Sequence, residues 1–197
     1  KTVAKPFIKL PSKEQKIKIK AYNADIATYK KDLKKLDTIF LASPIKVKKV
    51  RLHRVDAIQL ILNTIKFIGQ ADTKVTMKSA NKSQKFDNLL KAGNEKEIRV
   101  RGNHPFIEFE FENAFELEAV EISTVKKHFR YLNGSQLEYF DENGELIAAN
   151  KIEKSTESLL LEPLSKEFAS LLRKQNEAVK ALQVIDKKVP TTLVMKE

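Results

Sequence analysis

The densest chemistry-bearing stretch is HPFIEFEFENAFELEAVEI, residues 104–122, in which six glutamates fall between Glu108 and Glu121 with no basic residue among them. Clustered carboxylates can act as a general acid and base, or as oxygen ligands for a hard cation. Their spacing argues for neither. On an extended chain Ile107, Phe109 and Phe111 point to one face and Glu108, Glu110 and Glu112 to the other, successive glutamates lying roughly 7 Å apart. A glycosidase pair instead faces across a cleft about 5–10 Å wide and comes from different elements. A row along one strand therefore reads as a solvated face. In FELEAVEI the apolar phase slips at Ala119, from Phe115 and Leu117 to Val120 and Ile122, as it does at a bulge or bend.

The remaining chemistry is sparse. His53, His104 and His128 are scattered, and no pair has the i, i+4 spacing of a helical metal site. Cysteine is absent, which removes disulfides, thiolate zinc sites and cysteine nucleophiles together. The five glycines form neither a phosphate-cradling loop nor a nucleophile elbow. Enzymatic function has no positive signal, so the chain reads as non-catalytic. Two loops are more suggestive. VKKHFRYLNG mixes Lys126, Lys127, His128 and Arg130 with Phe129 and Tyr131, and IRVRGNH adds Arg99, Arg101 and His104. Aromatic faces beside multivalent donors suit a sugar ring, a carboxylated or sulfated glycan, or single-stranded nucleic acid. The same residues equally suit an arrangement in which Phe129 and Tyr131 plug the end of a sandwich while the cations stay in water.

These loops need a scaffold, and the middle of the chain, residues 43–162, reads as β. VKKVRLHRV is strand-like, AIQLILNTIKFIG is apolar and β-branched, and HPFIEFEFE and FELEAVEI alternate, while DENG separates SQLEYF from ELIAA. Asn133-Gly134 and Asn143-Gly144 are tight-turn signals. Short strands with close turns suggest an antiparallel sandwich. Helices flank it. Ser12 and Gln15 in LPSKEQ form a capping box, and Ile19, Tyr22, Ile26, Tyr29, Leu33 and Leu36 then make a heptad seam. After Pro163, Leu164, Phe168, Leu171, Gln175, Ala178, Leu182 and Ile185 make a second. Pairing the two antiparallel, as a two-helix coiled-coil stalk, buries both seams.

The chain of 197 residues carries a formal charge of +11, and residues 1–56 hold sixteen Lys and Arg against five Asp and Glu. The rest balances to zero. Such a basic segment either meets an acidic partner or is simply a solvated lysine-rich helix. In the first case nucleic acid would be held through Lys30, Lys31, Lys34 and Lys35. No apolar run approaches the roughly 18 residues that cross a bilayer.

Taken in order, VKKVRLHRVDAIQLILNTIKFIG, KFDNLLKAGNE, HPFIEFEFENAFELEAVEI and LNGSQLEYFDENGELI resemble the discoidin, or coagulation-factor type C, domain over about 115 residues. The resemblance implies a galactose-binding-like jelly roll, usually a non-catalytic module that binds glycans or other surface ligands through loops at one end. It departs from that pattern where Asp87 is followed by Asn88 rather than glycine and where Phe106 takes the usual tryptophan position. Some members hold a structural calcium, and Asp72 and Asp87 are the possible ligands here. KLPSKEQ and VPTTLVMKE resemble segments of planctomycete-type bacterial cytochrome c proteins that carry carbohydrate-binding-like inserts. That likeness implies a module of a periplasmic or cell-surface protein.

The expected organisation is an N-terminal heptad helix over 1–42, a discoidin-like sandwich over 43–162, and a C-terminal heptad helix with a tail over 163–197. The expected function is a carbohydrate-binding or docking module of a larger bacterial protein. Arg101, His104, Lys127, His128 and Arg130 would be donors, with Phe129 or Tyr131 as the stacking platform. The alternatives are a structural spacer that docks on other segments of a parent protein and, less favoured, a nucleic-acid binder.

Overall fold

In a computed structural model describing residues 7–36, 44–69, 73–80, 86, 88–91, 93 and 96–193, the glutamate-rich stretch is a single strand of 18 residues. Along the chain, β1 (Phe7–Lys9) leads to α1 (Lys13–Leu36), and β2 (Ile45–His53), β3 (Gln59–Leu62), β4 (Thr64–Gly69), β5 (Val75–Ser79) and β6 (Ile98–Arg101) follow. β7 (Phe106–Ser123) is next, then a 3₁₀ turn at Lys126–His128 and the one-turn α2 (Phe129–Leu132). The chain closes with β8 (Gln136–Phe140), β9 (Leu146–Lys151), β10 (Ser158–Leu161), α3 (Lys166–Lys188) and β11 (Thr191–Leu193). The fold is mixed α/β. A seven-stranded antiparallel sheet is accompanied by two small ribbons, β3 with β6 and β1 with β11.

β7 organises the sheet because its length lets each half take a partner on both edges. β2 pairs with Phe106–Glu110 and again with Phe115–Leu117, β5 pairs with the first half, and β4 and β10 pair with the second. Alternation sends Ile107, Phe109, Phe111, Phe115 and Leu117 inward, and Val120 and Ile122 continue the core beyond the phase slip. That slip is a bulge: β4 pairs Ile68 with Ala119 but Gly69 with Leu117, so Glu118 has no opposite number. Gly69 is required there. Its φ is 152°, and a Cβ would sit 1.9 Å from the carbonyl oxygen of Glu116.

The polar edge of β7 is matched in charge by its neighbours. Lys49 and Arg51 of β2 lie opposite Glu110 and Glu108, Lys46 lies opposite Glu116, and Lys66 of β4 lies opposite Glu121. Lys78 of β5 lies opposite Glu108 and bonds Glu110 at 3.0 Å. Part of the acidic partner implied by the basic N-terminal segment is thus the chain's own glutamate run. The opposite, apolar face shares its core with Leu60 and Leu62 of β3 and Ile98 and Val100 of β6. Phe67, Phe109, Phe111 and Phe115 meet edge to face with centroids 4.6–5.1 Å apart.

The helices form a layer on the other face of the sheet. Ser12 and Gln15 make the expected reciprocal cap, at 2.9 and 3.1 Å, and Ser165 caps α3 by accepting from the Phe168 N–H. α1 and α3 run antiparallel, with Leu33 clustered near Phe168 at one end and Leu10 N–H bonded to Pro190 at the other. The heptad residues of α1 are its less exposed ones, but only Leu33 is buried. α3 has two buried stripes. Leu164, Phe168, Gln175 and Ala178 follow the expected seam, whereas Leu172 and Asn176 form a stripe outside it. The first half of α3 therefore rests on β8 and β9 instead of projecting from them. There, buried Asn176 and Gln136 of β8 exchange two amide hydrogen bonds of 2.7 and 2.9 Å.

Two stability measurements check this packing. Gly69→Ala should destabilise by about 2–3 kcal/mol in a urea titration, since backbone must move to admit the methyl group. Gln136→Leu and Asn176→Leu should each cost about 1–3 kcal/mol by stranding a buried amide, while the double variant loses clearly less than the two together. Simple additivity would show that the amides do not act as a pair.

Candidate functional site

The loops expected to carry function do meet at one end of the main sheet, and Arg54 gathers them there. Its backbone N–H bonds the carbonyl of Pro105, one Nη bonds the carbonyl of Arg130 at 2.9 Å, and the other reaches Asp56 at 3.3 Å. Segments 54–58, 102–105 and 128–134 are thus held together through the backbone and the side chain of one residue, whose side chain is only 11% exposed.

The individual residues then diverge. His128 is buried and pairs with Glu97, which Arg99 also contacts. The Arg99 hydrogen bond, aided by His128, holds the Glu97 carboxyl below the usual range despite desolvation. Tyr131 is half-buried and covered by the Arg130 guanidinium, 4.6 Å from its ring centroid, with an Arg130 Nη also bonded to the Tyr131 hydroxyl at 2.5 Å. Phe129 is half-buried, and Lys127 and Arg101 are exposed. This group largely satisfies itself. Asp72 and Asp87 lie outside the described residues, among which no three His, Asp or Glu side chains gather as a metal site. Among the described residues no helix is long and apolar enough to cross a membrane.

His104 leads elsewhere. Its φ of 58° places a non-glycine residue in the left-handed region, at a cost of about 1–2 kcal/mol. Its Nδ1 lies 2.6 Å from the carbonyl of Val55. A carbonyl only accepts, so Nδ1 carries the proton, and in the neutral ring Nε2 is left as an acceptor. His104 lines a cleft of about 240 Å³ between the sheet and α3.

The walls of this cleft follow from two periodicities. In β2, Val50 and Leu52 turn into the core, so Lys49, Arg51 and His53 take the helix-side face. In β8, Leu137 and Tyr139 turn inward and Gln136, Glu138 and Phe140 share that face. α3 brings Arg173, Glu177 and Lys180 on one helical stripe beside the Asn176 anchor.

Within the cleft His53 Nε2 lies 3.4 Å from Glu138 Oε1, both side chains being nearly buried. The Arg51 guanidinium stacks 4.7 Å from the Phe106 ring centroid, and its buried Nε has no hydrogen-bond partner among the described residues. Desolvation alone would raise the Glu138 pKa. The His53 contact and the charges of His53, Arg51 and Arg173 overcome it and leave the carboxyl below its ordinary value. The site can therefore hold a fixed anion among several cations, with donors and acceptors on three sides. Arg51, His53 and Glu138 were not among the sequence-predicted residues, although their polar alternation was visible in VRLHR and QLEYF. Nothing in the sequence showed that these two edges would be neighbours beneath α3.

No family model, curated protein or solved structure matches the chain.

Glu138 gives a signed pH prediction. Its folded pKa is lowered from about 4.5, so it contributes stability above the ordinary carboxylate range that is lost as pH falls through the folded value. Urea midpoints measured from pH 7 to pH 3 should fall less steeply for Glu138→Gln than for wild type. Equal slopes would remove the charge pairing assigned to it.

Proposed function

We propose that the chain is a non-catalytic carbohydrate-binding module. In this reading it is a discoidin-like, galactose-binding-like jelly-roll sandwich on a coiled-coil helix pair, holding a glycan in the cleft between the main sheet and α3. The observation that carries the reading is the cleft. It is concave, polar on three sides and lined on one wall by an aromatic residue, Phe140, a combination that saccharide sites use for apolar contact and multivalent hydrogen bonding. The strained backbone of His104 supports it as well, since such strain concentrates where a side chain must be placed for function. The core shared between the main sheet and the β3–β6 ribbon supports the sandwich.

A second reading, docking on another segment of a parent protein, is favoured by the far end of the helix pair. There Leu10, Ile17 and Val184 are more than half exposed, beside a seam that α1 leaves only partly covered. In that reading the helices bind protein and the cleft is incidental.

Glycan-array screening followed by calorimetry, with and without calcium, separates the two. The carbohydrate reading expects saturable binding of at least one saccharide. His104→Gly should weaken that binding at least fivefold while changing stability by less than about 1 kcal/mol, because relief of backbone strain offsets the lost Val55 hydrogen bond. Absence of any saturable saccharide binding in both conditions would overturn it.

A further inference from the structure

Resting on the carbohydrate reading, we infer that the cleft between α3 and the helix-side face of β2 and β8 is an anion site for the carboxylate or sulfate group of an acidic sugar residue. Three permanent cations, Arg51, Arg173 and Lys180, line it against two carboxylates, Glu138 and Glu177. Both carboxylates are already engaged. Glu138 is held by His53 and by the charges of Arg51 and Arg173, and Glu177 lies 3.6 Å from Arg173. Lys180 is exposed at the rim of the cleft and makes no ion pair or hydrogen bond among the described residues. An unpaired cation at the mouth of a cleft whose carboxylates already have basic partners is what an incoming anion meets.

The remaining lining fits a sugar ring better than a bare inorganic ion. A volume of about 240 Å³ lies just under the roughly 300–1,000 Å³ of drug-sized sites, on the scale of one saccharide residue. Phe140 supplies an apolar wall, and Lys49 sits 4.6 Å from its ring centroid on the sheet. His104 in its neutral form presents an Nε2 acceptor that suits a sugar hydroxyl. Glu138 confers selectivity: it repels a second negative charge placed deep in the cleft, so one anionic group per bound residue is accommodated at the Arg173 and Lys180 rim.

The chain's charge of +11 attracts any polyanion, so the test uses short probes and a charge-matched control. The complete chain is titrated calorimetrically with digalacturonate, with a sulfated disaccharide and with neutral galactobiose. The comparison covers wild type, Arg173→Gln/Lys180→Gln, and Lys30→Gln/Lys34→Gln on α1, whose side chains do not line the cleft. The expected result is saturable binding of a carboxylated or sulfated probe, weakened at least tenfold by the cleft variant and less than twofold by the α1 variant. The carboxylated and sulfated arms identify which group is taken. If galactobiose binds as tightly as the acidic probes, or if both double variants weaken binding equally, the anion site is overturned while the carbohydrate reading stands. If none of the three probes binds wild type, the anion site is likewise overturned, and the wider glycan array decides the carbohydrate reading separately.

Discussion

The fold depends on β7 and on the constraint that a strand of period two imposes over 18 residues. Its apolar face supplies much of the core, at about 1.5–3 kcal/mol for each large side chain buried. Its charged face contributes little stability, because exposed ion pairs of the Lys78–Glu110 kind are screened by solvent. That face instead discriminates between registers. With glutamates on β7 and lysines or arginine on β2, β4 and β5, the observed register puts opposite charges across from one another. A slip of one residue would turn the glutamates into the core. The bulge at Glu118, accommodated by Gly69, is what allows one strand to keep this match while changing partners halfway along.

The helix layer is fixed by a different kind of interaction. α3 must satisfy α1 along one stripe and the sheet along another, and apolar contacts alone would let it slide. The Gln136–Asn176 amide pair supplies direction, since two buried reciprocal hydrogen bonds form at one axial position only. The pair also sets where the cleft begins. Residues N-terminal to it, such as Phe168 and Leu172, pack on the sheet, whereas Glu177 and Lys180 beyond it border the cleft together with Arg173 on the same stripe.

Much of this was legible in the residues because it is local. The Ser12–Gln15 cap, both helices, the alternation of β7 and the phase slip at Ala119 depend on neighbours within a few positions. What periodicity cannot supply is the partner. FIEFEFE and FELEAVEI read as two segments, yet they are one strand, because β2 pairs on both sides of Asn113 and Ala114 while β5 and β4 take up the flanking stretches. The second stripe of α3 was hidden because Leu172 and Asn176 fall off the heptad that describes its first. His128 and His104 looked equivalent as loop histidines. Pairing with Glu97 draws one inside, and a left-handed backbone carries the other to the cleft.

The composition of the cleft is the part of the molecule that folding explains least. A buried or half-buried cluster of Arg51, His53 and Glu138 gains little net stability, because desolvation of the charges consumes most of their mutual attraction. Apolar residues at these three positions would extend the contacts of Phe140 and Leu146 and close the space between sheet and helix. The neighbouring contact shows that α3 can dock on this sheet through a neutral, fully satisfied pair, Gln136 with Asn176, so charge is not needed to attach it. Cations kept beside a partly desolvated carboxylate, with a strained histidine at the rim, are therefore not what attaches α3 to the sheet.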